Sequence, residues 1–150
     1  SFPKTANSHV FDSLYAAKEI ELELVPQGTL AERLRCAGAG LGGFFTPTGV
    51  GTPIAQGKRT EVINGREFLF ETPLHAEFAL VQADAADRWG NLTYRKTARN
   101  FGPVMCAAAT TTIVQVARIV PLGSIDPEHA VTPGIFVSRV VEVSHPLYSS

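Results

Sequence analysis

Two periods of hydrophobic and polar residues alternate along this chain, and the switches between them mark its elements. Val10, Leu14 and Ala17 recur at helical spacing within HVFDSLYAAK (residues 9–18), with Asn7 or Ser8 placed to cap the helix. From Glu19 the period falls to two. Ile20, Leu22 and Leu24 share one face and Glu19, Glu21 and Glu23 the other, which predicts a half-buried strand ended by Pro26. Thr29 and Glu32 form a T-x-x-E capping box, and LAERLRCA carries the predicted helix to Gly38, read as its C′ glycine. No period holds in GAGLGGFFTPTGVGTP (residues 38–53). Its repeated glycines and prolines predict a shaped loop.

Beyond the loop, Thr60–Ile63 and Arg66–Phe70 flank Asn64-Gly65, the signature of a type I′ hairpin. FALVQA (78–83) reads as a buried strand, Trp89-Gly90-Asn91 as a turn and Leu92–Arg95 as a short strand. Pro103 sits at a helix start ahead of VMCAAAT. The β-branched runs Thr111–Arg118 and Ile135–Val143 predict interior strands, with one helical turn in SIDPEHAV between them. Helices alternating with apolar strands give the fold class: α/β, an open, mainly parallel sheet flanked by helices, with a small antiparallel hairpin.

Composition narrows the function classes. One hundred and fifty residues, 45% apolar and 18% charged, make one domain with a core of its own rather than a disordered tail. A net charge of −1 argues against a nucleic-acid binder, whose affinity rests on phosphate-neutralising cations. No apolar run reaches the roughly eighteen residues of a membrane span, and nothing has the layout of a signal peptide. Cys36 and Cys106 match no metal or redox spacing, so they are expected to be buried, reduced thiols in a cytoplasmic protein without a bound metal.

Several motifs fail on context. Gly38-Ala39-Gly40-Leu41-Gly42-Gly43 matches G-x-G-x-x-G, but a helix precedes it and an aromatic loop follows, the reverse of a dinucleotide site. Gly57-Lys58 lacks the remainder of a P-loop. The four histidines share no ligand spacing. Glu71 and Glu77 read as solvated edge residues. Arg88, Arg95, Lys96 and Arg99 form one basic cluster, either a solvated face or a seat for phosphate or carboxylate. Gln27-Gly28 follows the predicted strand and precedes the predicted helix, where α/β sheets collect ligands. On the residues alone, Gln27 is equally a ligand-facing amide or a polar turn residue.

Three stretches in collinear order carry a resemblance: ELELVPQGTLAERLRCAGAGLGGFFTPTGVGT, ADRWGNLTYRKTARNFGP and VTPGIFVSRVV. They resemble the A subunit of family I CoA-transferases, and in particular the enzymes that act on 3-oxoadipate. The compact stretch from Gly51 to Gly65 is similar to that type rather than to the acetoacetate type. The resemblance implies a NagB/RpiA/CoA-transferase-like fold and a ping-pong transfer of coenzyme A from succinyl-CoA to a 3-oxo acid. In such a reaction CoA is a substrate, and no tightly bound cofactor is expected. The nucleophilic glutamate of the family lies in an S-E-N-G motif of a B-subunit partner. This sequence has no S-E-N-G, so none of its ten glutamates is expected to be the nucleophile. The resemblance assigns Gln27 to face the thioester carbonyl. Gly28, Gly40, Gly42, Gly43, Thr46, Thr48 and Asn100 are its expected contributions to the substrate and CoA wall. The family's G-G-F-x-x-x-G-x-P loop lies N-terminal to the resembling region, so residues 1–150 are expected to be an N-terminally incomplete A-subunit domain.

Overall fold

The computed structural model describes residues 9–143; the Asn7/Ser8 cap and His145 lie outside them. Helix α1 (His9–Ala16) forms where the sequence predicts it. The strand expected at residues 19–25 does not form: this stretch is irregular and pairs with no strand among the described residues. An alternating pattern becomes a strand only when a neighbour accepts its hydrogen bonds and covers one face. Without one, Leu22 and Leu24 stay exposed.

Helix α2 (Gln27–Gly38) starts two residues before the predicted box. Pro26 occupies the N-cap with extended backbone, and its carbonyl accepts from Leu30 N–H at 2.9 Å. Thr29 is therefore inside the helix and buried, not a cap, and Glu32 is held by Arg35 instead. The predicted stop also shifts. Gly38 is the last helical residue, and Gly40 takes the left-handed conformation (φ 67°) that closes a Schellman motif. Gly40 N–H donates to Ala37 O and Leu41 N–H to Cys36 O.

The glycine-rich stretch is not loop throughout, because Phe44–Thr46 forms strand β1. It pairs antiparallel with β3 (Arg66–Glu71), which in turn pairs with β2 (Thr60–Ile63). The predicted hairpin is present, with Asn64 and Gly65 both at positive φ as a type I′ turn requires, and it belongs to a three-stranded sheet of order β1-β3-β2.

The larger sheet contains β4 (Ala76–Asp87), β5 (Leu92–Thr93), β6 (Ala109–Val120) and β7 (Arg139–Glu142), in the order β5-β4-β6-β7. β4–β6 and β6–β7 run parallel, and β5 is antiparallel. The α/β expectation of a mainly parallel sheet therefore holds for this sheet. Helix α3 (Gly102–Ala108) covers one face, opening with the predicted Pro103 in its first turn. The core is the facing set Ala79, Val81, Ala83, Val114 and Val116 with Leu92 and Cys106. Helix α2 packs on α3 through small residues. A Cβ at Gly38 would come within 2.6 Å of Ala107 Cβ.

Two strand expectations need correction. FALVQA is only half-buried, with Phe78 and Leu80 exposed on the face away from α3. The run from Ile135 is not an interior strand: Gly134–Phe136 is a 3-10 turn, and β7 has β6 alone as a partner in the sheet. β-branched residues stay out of a ladder when the chain must first turn through Pro133-Gly134 to reach its edge.

Candidate active site

The first turns of α2 and the strand β1 face each other across a cleft of ≈ 350 Å³. Pro26, Gly28, Thr29 and Glu32 line one side; Phe44, Phe45, Thr46 and Thr48 line the other. The early start of α2 sets the chemistry of the first side. The leading N–H groups of a helix have no carbonyl one turn behind them, and no side chain caps this one. The helix therefore presents donors and the positive end of its dipole toward the cleft, an arrangement suited to a carboxylate or a developing oxyanion.

Opposite, the extended backbone of β1 is fixed by its register with β3, Phe45 against Phe70 and Thr46 against Leu69. Thr46 Oγ1 accepts from Thr48 N–H at 3.2 Å, which bends the chain as it leaves the strand. Glu32 is the acidic member of the lining. Arg35 holds it through hydrogen bonds to both oxygens and keeps its carboxyl below the ordinary range against a smaller opposing effect of burial. Glu32 thus stays ionised at neutral pH, with its charge largely answered by Arg35.

The cleft gathers part of the expected set. Gly28, Thr46 and Thr48 line it, and Gln27 is the exposed first residue of α2, between lining residues Pro26 and Gly28. Three glycines have other work. Gly40 closes the helix, and Gly42 has open space around it. Gly43 (φ 140°) sits so close to β3 that a Cβ would meet Phe70 and the Glu71 carbonyl at 2.5 Å. Asn100 follows the 3-10 turn Lys96–Arg99 ahead of α3 and is not part of the cleft wall. Sequence reasoning missed Phe44, Phe45, Thr29 and Glu32. The adjacent aromatics after the glycine run were the available signal for a short strand with a ring on each face.

Other expectations resolve locally. Glu71 is not a solvated edge residue: its side chain is 3% exposed and bonded to Lys58 Nζ at 2.6 Å, whereas Glu77 is exposed. Both cysteines are free and buried. Desolvation pushes the Cys106 thiol up, next to Tyr94, whose hydroxyl shares a 2.8 Å hydrogen bond with Thr132. In the basic cluster Arg95 approaches Asp84 at 3.9 Å, a carboxylate it shares with Arg118, while Arg88, Lys96 and Arg99 are exposed. The G-x-G-x-x-G match begins at the C-terminal end of α2, the wrong pole of a helix for pyrophosphate. Among the described residues, no group of three or more His, Cys, Asp or Glu is arranged to hold a metal ion, and no helix is long and apolar enough to cross a membrane.

The coenzyme A transferase family model matches residues 1–143. The chain belongs to the coenzyme A transferase family. It is 61% identical over 150 residues to the A subunit of 3-oxoadipate CoA-transferase from Pseudomonas putida, covering 100% of this chain and 65% of that protein. Over 143 residues it is 58% identical to the protein of the same name from Acinetobacter baylyi, covering 95% of this chain and 63% of the relative. The chain thus spans just under two thirds of the length of these relatives. Its fold is that of glutaconate coenzyme A-transferase from Acidaminococcus fermentans, with a TM-score of 0.78 at 18% identity over 90% of this chain and 50% of that one.

Proposed function

We propose that this chain is the A-subunit part of a CoA-transferase that moves coenzyme A from succinyl-CoA to 3-oxoadipate, in the cytoplasm and together with a B-type subunit. We take residues 1–150 as one A-subunit domain. The observation that carries the reading is the name shared by the two relatives above, both of them A subunits of a 3-oxoadipate CoA-transferase, at identities that span the cleft residues and nearly the whole chain.

In this reaction the partner's glutamate carboxylate attacks the thioester carbonyl of succinyl-CoA and expels CoA thiolate, leaving a mixed anhydride. The thiolate then attacks the glutamyl carbonyl of that anhydride. Succinate leaves, and a glutamyl-CoA thioester remains. The acceptor carboxylate repeats the sequence in reverse: it displaces the thiolate, which then takes the acceptor's acyl group and frees the glutamate. Covalent exchange of this kind divides one difficult transfer into easier steps. Each step passes through a tetrahedral oxyanion.

The part of this chain is to bind and to stabilise. Gln27 supplies an amide donor at the head of α2, aimed at the oxyanion, where a placed donor typically contributes a few kcal/mol. Gly28 adds a backbone N–H with no side chain in the way. Thr46 and Thr48 supply hydroxyls across the cleft. We keep Gly40, Gly42, Gly43 and Asn100 as contributors to the wider CoA wall only through the family resemblance.

The test is an acceptor assay on the A subunit that contains residues 1–150, in complex with its B-type partner, using succinyl-CoA as donor and 3-oxoadipate or acetoacetate as acceptor. The reading expects a markedly higher kcat/KM with 3-oxoadipate. Preference for acetoacetate would overturn the acceptor assignment, and no transfer to either would overturn the activity.

A further inference from the structure

A dicarboxylate acyl group bound at the head of α2 must place its second carboxylate somewhere in the cleft, and an unpaired carboxylate in a partly enclosed site is unfavourable. Four cations stand on α2 or at the head of β2 in the sheet that holds β1, and three are already committed. Arg35 is spent on Glu32 through both carboxylate oxygens. Arg33, with its side chain only 10% exposed, donates to Thr72 O at 2.9 Å and to Glu23 at 2.9 Å. Lys58 is bound to buried Glu71.

Arg59 is the fourth, and it is placed differently. Its guanidinium carbon lies 5.4 Å from the centre of the Phe45 ring and 5.8 Å from that of Phe70. Phe45 is part of the cleft wall, and the two rings pack at 5.2 Å. The backbone on both sides is fixed: the Lys58 side chain is pinned to Glu71, and Arg59 O accepts from Phe70 N–H at 2.8 Å. The side chain itself is 66% exposed, and its ion pair is a long one, 3.3 Å to the half-exposed Glu61. A guanidinium held over aromatic faces presents the N–H groups at its edge and is well suited to a carboxylate. The cations of α2 are committed, so a second substrate carboxylate finds its cation on the β1 side, where Arg59 lies over the Phe45 ring.

We propose that Arg59 is the specificity residue that reads the distal carboxylate of a dicarboxylate substrate, and so favours 3-oxoadipate over a monocarboxylate such as acetoacetate. The assignment rests on the function proposed above and adds the residue that selects the acceptor. Phe45 and Phe70 are its platform, and Glu61 is the partner it exchanges for substrate.

The experiment compares wild type, Arg59→Met and Arg59→Lys in the A subunit that contains residues 1–150, each in complex with the B-type partner, with acceptor KM measured at saturating succinyl-CoA. Arg59→Met should raise the KM for 3-oxoadipate about ten- to hundred-fold, the loss expected for one charge-assisted hydrogen-bonded pair. Its KM for acetoacetate should stay unchanged. Arg59→Lys should recover part of the 3-oxoadipate affinity, since the charge returns without the fork. An equal rise with both acceptors would mean that Arg59 merely supports the loop and would overturn the inference. So would an unchanged KM for 3-oxoadipate in an active complex. A wild-type complex silent toward 3-oxoadipate is a different failure: it would refute the function itself, and this assignment with it.

Discussion

Gln27 is where a single residue carries the most chemistry. The strand–helix pattern leaves it equally a turn residue or a ligand-facing amide, and in the fold it is the first residue of α2, exposed beside the cleft. If its amide meets the oxyanion, Gln27→Ala in the assembled enzyme lowers kcat by roughly one to three decades, the range for such donors. Its melting temperature should barely move, because no packed group is removed. Steady-state kinetics with a parallel melt checks both parts. A second residue-scale prediction concerns Tyr94. Burial pushes its hydroxyl above the ordinary value of 10.0, the bond to Thr132 working weakly in the other direction. Because the folded pKa lies above the unfolded one, the contribution is complete below about pH 10 and is lost as pH rises toward the folded pKa. Alkaline stability should therefore fall less steeply in Tyr94→Phe than in wild type, while at neutral pH the variant loses about 1 kcal/mol with the Thr132 bond. Melting curves across the alkaline range decide it.

At the scale of elements, local signals were legible wherever they were self-contained. Asn64-Gly65 announces its own turn because both residues tolerate positive φ, and Pro103 marks the head of α3 because a first-turn residue needs no N–H partner. Features that depend on a distant partner were not legible. The alternation in residues 19–25 finds no neighbouring strand among the described residues, Thr29 lost its cap role to the break at Pro26, and the pairing of β1 with β3 joins residues far apart in sequence. The residue pattern alone gave one wall of the cleft, Gln27-Gly28; Thr46 and Thr48 of the other came from the resemblance, and Phe44 and Phe45 required the sheet. The contact of α2 with α3 gives a sharp test of packing. Gly→Ala inside a helix ordinarily stabilises by up to about 1 kcal/mol. At Gly38 the added Cβ meets Ala107 Cβ at 2.6 Å and the Ala107 backbone carbon at 3.0 Å, so the helices must part. Gly38→Ala should instead destabilise by about 1–3 kcal/mol, as overpacking does, read from denaturant unfolding. A stabilised variant would show that the two helices are not locked together.

On the scale of the whole molecule, the proposed function gives this chain the binding groups and its partner the nucleophile. Among the described residues, Glu71 is tied to Lys58 and Glu32 to Arg35, and the sequence holds no S-E-N-G. The proposed division of labour between two different chains is therefore the central claim. It is tested most directly by trapping. Succinyl-CoA and hydroxylamine are added to this chain by itself and to its complex with the B-type partner, and the hydroxamate is located by peptide mass spectrometry. The predicted result is no hydroxamate on the isolated chain and, in the complex, hydroxamate on a glutamate of the partner only. Hydroxamate on any glutamate of this chain would contradict the account.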